Sequence, residues 1–220
     1  MFSLIEKFVS IDGEGPTAGR LAAFLRFQGC NLRCGWCDTT YSYSEENITE
    51  QATAEELYDY LLSTGVKGVT LTGGEPLLQP DLPQLLLFLE TDPFLETQIE
   101  TNGSVDITPY VRAFPKISFI VDYKLKGSGI TDRMCLENLS TVRQRDAYKF
   151  VVSSREDLLQ AKEIIKEYDL CEKTQVFFSP VLGKIEPKEI VEFMKEQNLH
   201  SVRLQLQLHK IIWNPEERGV

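Results

Sequence analysis

Short apolar runs alternate with amphipathic helical patterns along most of this chain, and few folds accommodate that order. Residues 21–27, 66–71, 97–101, 117–121, 148–152 and 175–178 read as buried strands. Residues 202–208 alternate strictly, as a strand with two different faces does. Helical signals lie between them. Thr53 and Glu56 form a capping box ahead of the stripe Leu57, Tyr58, Leu61 and Leu62, which Gly65 stops. Asp81 caps a second, strongly apolar helix running to Glu90, and residues 108–113 and 131–143 read as a shorter and a weaker helix. Ser154 and Asp157 cap a helix with Leu158, Ala161, Ile165 and Tyr168 on one face, and Pro187 opens another bearing Ile190, Val191 and Met194. Polar residues 42–51 read as an exposed connection. This alternation predicts an α/β fold, a parallel sheet with helices outside it, in a single domain over residues 1–220.

Residues able to do chemistry fall just after the predicted strands. Cys30 to Cys37 follow the first, Gly73-Gly74-Glu75 the second, and Asn102-Gly103 the third. Asp122-Tyr123-Lys124, Ser153, Ser179-Pro180 and His209-Lys210 follow the remaining four in turn. In a parallel α/β barrel all these points share the carboxyl rim of the strands, where active sites form.

Cys30, Cys34 and Cys37 are spaced C-x3-C-x2-C, close enough for three thiolates to meet one soft metal centre. No fourth cysteine or histidine is near: the next cysteine is Cys135, and the histidines are His200 and His209. A structural zinc site wants four closed ligands, whereas a 4Fe–4S cluster held by three cysteines leaves one iron open. A zinc knuckle is the bland alternative. The Gly73-Gly74 pair alone is a tight turn; behind the cysteines it lets backbone approach a ligand, with Glu75 an acceptor for an ammonium group. Arg26, inward on a strand, suits an anionic substrate or a salt bridge to a neighbouring acid. Cys135 and Cys171 read as buried or incidental thiols.

Composition removes other classes. The chain has 220 residues, 23 basic against 33 acidic, for a net charge of −10. That balance argues against a broad phosphate-binding surface, so a small-molecule substrate is expected and no nucleic acid. No apolar run approaches the ~20 residues of a membrane helix. The N-terminus has no basic region followed by an apolar stretch, and five cysteines is an odd number with three clustered. A reducing, cytoplasmic setting is the expectation.

The cysteine spacing resembles that of radical S-adenosylmethionine (SAM) enzymes. Further motifs narrow the resemblance. Ile11-Asp12-Gly13-Glu14-Gly15, Gly19-Arg20, Arg26-Phe27, Gly29-Cys30 and Cys37-Asp38-Thr39 are similar to the opening of the 7-carboxy-7-deazaguanine synthase family. So are Thr72-Gly73-Gly74-Glu75-Pro76, Glu100-Thr101-Asn102-Gly103-Ser104 and Gln207-Leu208-His209-Lys210, so that the likeness covers residues 8–220. The resemblance implies a partial (β/α)6-type radical SAM barrel, with a cluster-binding loop at 30–37 and a C-terminal substrate-pocket segment at 202–220. It implies a ring contraction of 6-carboxy-5,6,7,8-tetrahydropterin to 7-carboxy-7-deazaguanine with loss of ammonia, on the route to queuosine. No side chain is assigned as acid or base, because a 5'-deoxyadenosyl radical from SAM carries the chemistry.

The same resemblance assigns residues. Cys30, Cys34 and Cys37 would hold the 4Fe–4S cluster, and Thr39 magnesium. Ile11, Asp12, Gly13, Glu14, Arg26, Thr72, His209 and Pro215 would meet the pterin. Gly73, Gly74, Glu75, Thr101, Asn102, Asp122, Tyr123, Lys124, Ser153 and Ser179 would meet SAM. A flavodoxin- or ferredoxin-type electron donor and a homodimer are implied as well. Three departures stand out. Asp12 replaces a common glutamine, and Asp122-Tyr123-Lys124 replaces Ser-Pro-Lys. Some members end soon after the histidine with the chain terminus in the pocket, whereas here residues 216–220 follow Pro215. The rival enzyme reading is an activating enzyme that places a glycyl radical on a partner protein.

Overall fold

The computed structural model describes residues 1–215 and 217–220. An antiparallel hairpin of β1 (Phe2–Ile11) and β2 (Leu21–Phe27) is followed by a short edge strand, β3 (Glu50–Ala52). Then strand and helix alternate: α1 (Ala54–Ser63), β4 (Gly68–Gly73), α2 (Leu82–Thr91), β5 (Glu96–Thr101), α3 (Thr108–Ala113), β6 (Ser118–Lys124) and α4 (Asn138–Thr141). The chain continues through β7 (Ala147–Val152), α5 (Arg155–Glu167), α6 (Leu170–Lys173), β8 (Gln175–Pro180), α7 (Pro187–Glu196), β9 (Val202–Leu204) and α8 (His209–Ile212). The nine strands among the described residues form one sheet in the order β3-β1-β2-β4-β5-β6-β7-β8-β9. From β2 to β9 every pairing is parallel, and β3 and β9 are the two edges, so the sheet is a partial barrel rather than a closed one.

Side chains point to opposite faces at successive strand positions, and the two faces here differ in kind. Val69, Leu71, Ile99, Phe119, Val121, Tyr148, Phe150, Val176 and Phe178 join the helices in the main core. The opposite face carries Thr70 and Thr72, Gln98 and Glu100, Asp122, Lys149 and Ser179, with a small apolar group of Ile120, Ala147 and Phe177. The apolar core therefore holds the sheet against its helices, and the concave face is left for polar groups. The capping box of Thr53 and Glu56 is formed, and Ser154 accepts from the Asp157 backbone N–H.

Four segments differ from the sequence expectation. β1 is an unanticipated strand, because a bulge between Leu4 and Glu6 breaks the period-two pattern that would have marked it. Residues 42–51 are not simply exposed: Ser42 is fully buried, its carbonyl taking the Gly29 N–H at 2.8 Å, and β3 begins at Glu50. Residues 131–143 form a turn at Thr131–Arg133 and only one helical turn in α4. There the buried Asn138 side chain takes the Ile107 N–H and donates to the Val105 carbonyl, pinning an irregular connection instead. The last strand stops at Leu204; Gln205 N–H still reaches Phe178 O, and Leu208 N–H then turns back to Gly13 O.

Candidate active site

The loop at residues 12–20 crosses the concave face and fixes the first group of site residues. It closes on itself through Asp12 N–H to Arg20 O and Gly19 N–H to Asp12 O, both 2.8 Å. Asp12 is buried and faces away from the carboxyl rim, accepting from Thr70 Oγ1 at 2.7 Å and Gln98 Nε2 at 3.1 Å. Thr17 Oγ1 donates to Gln98 Oε1 at 2.9 Å. So anchored, the loop projects Ile11, Gly13 and Glu14 into a rim cavity of ≈ 340 Å³.

That cavity gathers residues from nearly every strand end. Cys30, Cys34, Cys37 and Thr39 line it with Arg26, Thr72, Gly73, Gly74, Thr101 and Asn102. Asp122, Lys124, Ser179, His209 and Pro215 complete the expected set. Gly74 N–H bonds Phe27 O at 3.0 Å and Glu75 N–H bonds Gly29 O at 2.8 Å, which ties the glycine turn to the start of the cysteine loop. A Cβ at Gly74 would run into the Gly29 carbonyl, so only glycine fits.

Four expected residues lie outside the lining. Asp12 is the loop anchor just described. Glu75 is fully buried behind the turn, accepting from Asn102 N–H at 2.7 Å, Thr101 Oγ1 at 2.8 Å and Leu77 N–H at 3.1 Å. Burial pushes its carboxyl up to about 7 despite those donors. Tyr123 packs with Tyr148 and Phe150 on the core face, because the strand period turns it away from Asp122 and Lys124. Ser153 donates to Asp157 Oδ2 at 2.6 Å at the head of α5.

An ion-pair network spans the floor. Lys149 Nζ meets Glu14 Oε2 at 2.7 Å and Asp122 Oδ1 at 3.0 Å, and Lys124 Nζ meets Asp122 Oδ2 at 2.6 Å. Ser179 Oγ donates to Glu14 Oε1 at 3.1 Å. Burial opposes the charge on Asp122, but Lys124 and Lys149 outweigh it and hold the carboxyl below its usual range. Glu100 is the contrasting acid. Burial, aided by Glu14 and Asp12, pushes it up to about 7 against the pull of Lys149, and its carboxylate accepts from Thr72 Oγ1 at 2.9 Å. Arg26 Nε donates to Glu6 Oε1 at 2.6 Å, so the neighbouring acid anticipated for it is present, and Arg26 itself still lines the cavity.

Sequence reasoning missed Lys149 and Glu100. A lysine inside Ala147-Tyr148-Lys149-Phe150-Val151-Val152 was the available signal, since an apolar parallel strand spares no such position without a partner. Also missed were Trp36, Asp38 and Tyr41 of the cysteine loop and its sequel, and Arg218 of the tail, all of which line the cavity.

The cysteine loop fits an iron–sulfur cluster by its donor chemistry. All three thiols are half-buried on one cavity, and backbone N–H groups already approach sulfur: Leu32 to Cys30 Sγ at 3.5 Å and Thr39 to Cys37 Sγ at 3.4 Å. Asn102 Nδ2 also reaches Cys30 Sγ at 3.5 Å, and Trp36 Nε1 is a buried donor with no partner among the described residues. Hydrogen bonds to the sulfurs are a chief means by which proteins tune such clusters. Among the described residues no three His, Cys, Asp or Glu side chains are grouped to hold a single metal ion.

Comparison with known proteins agrees. Residues 24–121 match the family model described as Radical SAM superfamily. Over 219 residues, 100% of this chain and 99% of the relative, the sequence is 47% identical to 7-carboxy-7-deazaguanine synthase of Clostridium acetobutylicum. It is 39% identical to the protein of that name from Chlorobaculum tepidum, over 99% of this chain and 97% of the relative. The crystal structure of QueE from Escherichia coli matches with a TM-score of 0.73 at 26% identity, covering 94% of this chain and 93% of that one. The fold and the relatives thus place the chain in the radical SAM class, which implies a 4Fe–4S cluster and SAM. Within that class, the chain belongs to the 7-carboxy-7-deazaguanine synthase family. No helix among the described residues is long and apolar enough to cross a membrane.

Proposed function

We propose that this chain converts 6-carboxy-5,6,7,8-tetrahydropterin to 7-carboxy-7-deazaguanine with release of ammonia, using a 4Fe–4S cluster, SAM and magnesium. One observation carries the reading: the three cysteines, the Gly73-Gly74 turn and a ring of opposed charges on the concave face open onto a single cavity. The bound cluster and SAM supply one-electron reduction and reversible hydrogen-atom abstraction. Everything else falls to the chain's own residues.

Cys30, Cys34 and Cys37 hold the cluster. Gly73 and Gly74 let their backbone approach SAM, with Thr101, Asn102, Asp122, Lys124 and Ser179 around it. Glu75 acts from behind, fixing Thr101 and Asn102 through its hydrogen bonds. Glu14, Thr72 and His209 bind the heterocycle's polar edge beside Ile11, Gly13 and Pro215, and Arg26 holds its carboxylate by its terminal amines. Glu100, titrating near neutrality beside Thr72, is suited to exchange a proton with a ring nitrogen. Magnesium would be held by the Thr39 hydroxyl and the substrate. The adjacent Asp38 carboxylate, which accepts from Thr39 Oγ1 at 2.9 Å, supplies the hard oxygen environment that this ion prefers.

The same reading makes residues 1–220 a single radical SAM domain with its cluster loop at 30–37 and a pocket segment at 202–220. It brings a flavodoxin- or ferredoxin-type electron donor, a homodimer and a cytoplasmic setting. The experiment is anaerobic turnover of reconstituted, reduced protein with SAM, magnesium and the carboxypterin. Formation of the deazaguanine supports the proposal, and an unaltered pterin overturns it.

A further inference from the structure

Among the described residues five cations line the cavity: Arg26, Lys124, Lys149, Lys210 and Arg218. Four are already neutralised. Arg26 pairs with Glu6, Lys124 and Lys149 share Asp122 and Glu14, and Lys210 Nζ meets Asp38 Oδ2 at 2.7 Å. Arg218 has no carboxylate partner among the described residues. Its guanidinium lies instead over the Tyr41 ring, 3.8 Å from the centroid.

Tyr41 connects that guanidinium to the floor of the pocket. Its hydroxyl donates to Glu6 Oε1 at 3.1 Å, the same oxygen that takes Arg26 Nε. The Arg26 guanidinium is itself 6.0 Å from the same ring centroid. Two arginines, one from β2 and one from the C-terminal tail, therefore share one aromatic ring at one end of the cavity. The tail is tied there by the Lys210–Asp38 pair and by Trp213 N–H to His209 O at 3.0 Å.

We infer that Arg218 is a specificity-determining residue, a second cationic contact for the carboxylate of the anionic heterocycle bound at this site. The inference rests on the functional reading above. Its physical ground is charge. Arg26 has committed its Nε to Glu6, and the acids lining the cavity include Glu14, Asp38, Glu100, Asp122 and Glu217. A carboxylate entering this setting gains little from cations whose charge is already met, so an uncommitted guanidinium decides whether the anion is welcome. Stacking on Tyr41 holds Arg218 in place, so less side-chain freedom is lost when the ligand arrives. Arg218 is solvent-exposed, which screens the contact and sets its effect at moderate size.

The test compares wild-type holoenzyme with Arg218→Gln and Arg218→Lys. Turnover is followed with 6-carboxy-5,6,7,8-tetrahydropterin, and binding with two fluorescent probes, 6-carboxypterin and pterin without the carboxyl group. Arg218→Gln is expected to raise KM about fivefold while lowering kcat by less than about twofold. The same variant weakens 6-carboxypterin about fivefold but leaves pterin within about 1.5-fold, and Arg218→Lys recovers part of the loss. Equal weakening of both probes assigns Arg218 to packing of the tail and overturns the inference, as does unchanged binding of both. If wild-type protein binds and turns over the carboxypterin while Arg218→Gln matches it, the Arg218 assignment alone fails. If wild-type protein does neither, the functional reading fails and takes this assignment with it.

Discussion

Lys149 and Glu14 meet at 2.7 Å across the concave face, joining the seventh strand to the loop that follows the first. Burial works against the Lys149 ammonium, yet Asp122, Glu14 and Glu100 together hold its pKa well above the usual lysine value. The pair fixes where Glu14 points, and through Ser179 it also reaches β8.

Removing the lysine leaves Glu14 as a largely enclosed charge with no cation against it and only the Ser179 hydroxyl as a donor. Lys149→Met is therefore expected to cost about 3 kcal/mol of stability, read from urea unfolding of the cluster-free protein, and to abolish turnover. Adding Glu14→Gln to that variant should return most of the stability and none of the activity. Two losses that simply add would show that the residues do not act as a pair.

Glu100 makes stability depend on pH in the less common direction. Its carboxyl is raised from 4.5 to about 7 by burial, so between those values the folded protein keeps a proton that the unfolded chain has released. Stability should fall as pH rises through that window and level off above about 7, with Glu75, raised likewise, adding to the slope. Glu100→Gln should flatten part of the slope in urea midpoints taken across it. An unchanged slope would mean that Glu100 is ionised in the fold throughout.

Much of this fold is legible in the sequence. The alternation of strand and helix from Leu21 onward is a local signal, and it placed the cysteines, glycines and Asn102 on one rim. What stayed hidden was non-local. Lys149 and Glu100 gain meaning only when β5, β6 and β7 lie side by side, which sets Lys149 against Asp122 and puts Glu100 in the field of Lys149. Asp12 matched a pocket motif in sequence, but its short side chain meets Thr70 and Gln98 beneath the pocket. Tyr123 sits between two rim residues and yet belongs to the core, as a strand's two-residue period requires.

Gly74 makes a sharper backbone test than a cysteine. Gly74→Ala would press a methyl group against the Gly29 carbonyl and the Cys30 Cβ. The expected cost is about 1–3 kcal/mol of stability, with weakened SAM binding by calorimetry on reconstituted protein. Wild-type stability and SAM affinity in this variant would mean that the turn relaxes freely.

The three cysteines should matter to the cofactor and little to the apo fold. Replacing Cys30, Cys34 and Cys37 together by Ala should remove the iron and the visible absorbance of the cluster. Apo unfolding should change by no more than about 1 kcal/mol, because the thiols are half-buried at the cavity wall. A zinc knuckle predicts the opposite, a colourless wild-type protein that unfolds when its ligands are removed.

Anaerobic turnover decides whether this chain carries out the ring contraction. Reconstituted and reduced protein is given SAM, magnesium and 6-carboxy-5,6,7,8-tetrahydropterin, with pterin, product and SAM followed by mass spectrometry. 7-Carboxy-7-deazaguanine is expected to accumulate over many turnovers while SAM is not consumed in proportion. Cleavage of SAM to 5'-deoxyadenosine with the pterin unchanged would contradict it, and would point to an activating enzyme that places its radical on a partner protein.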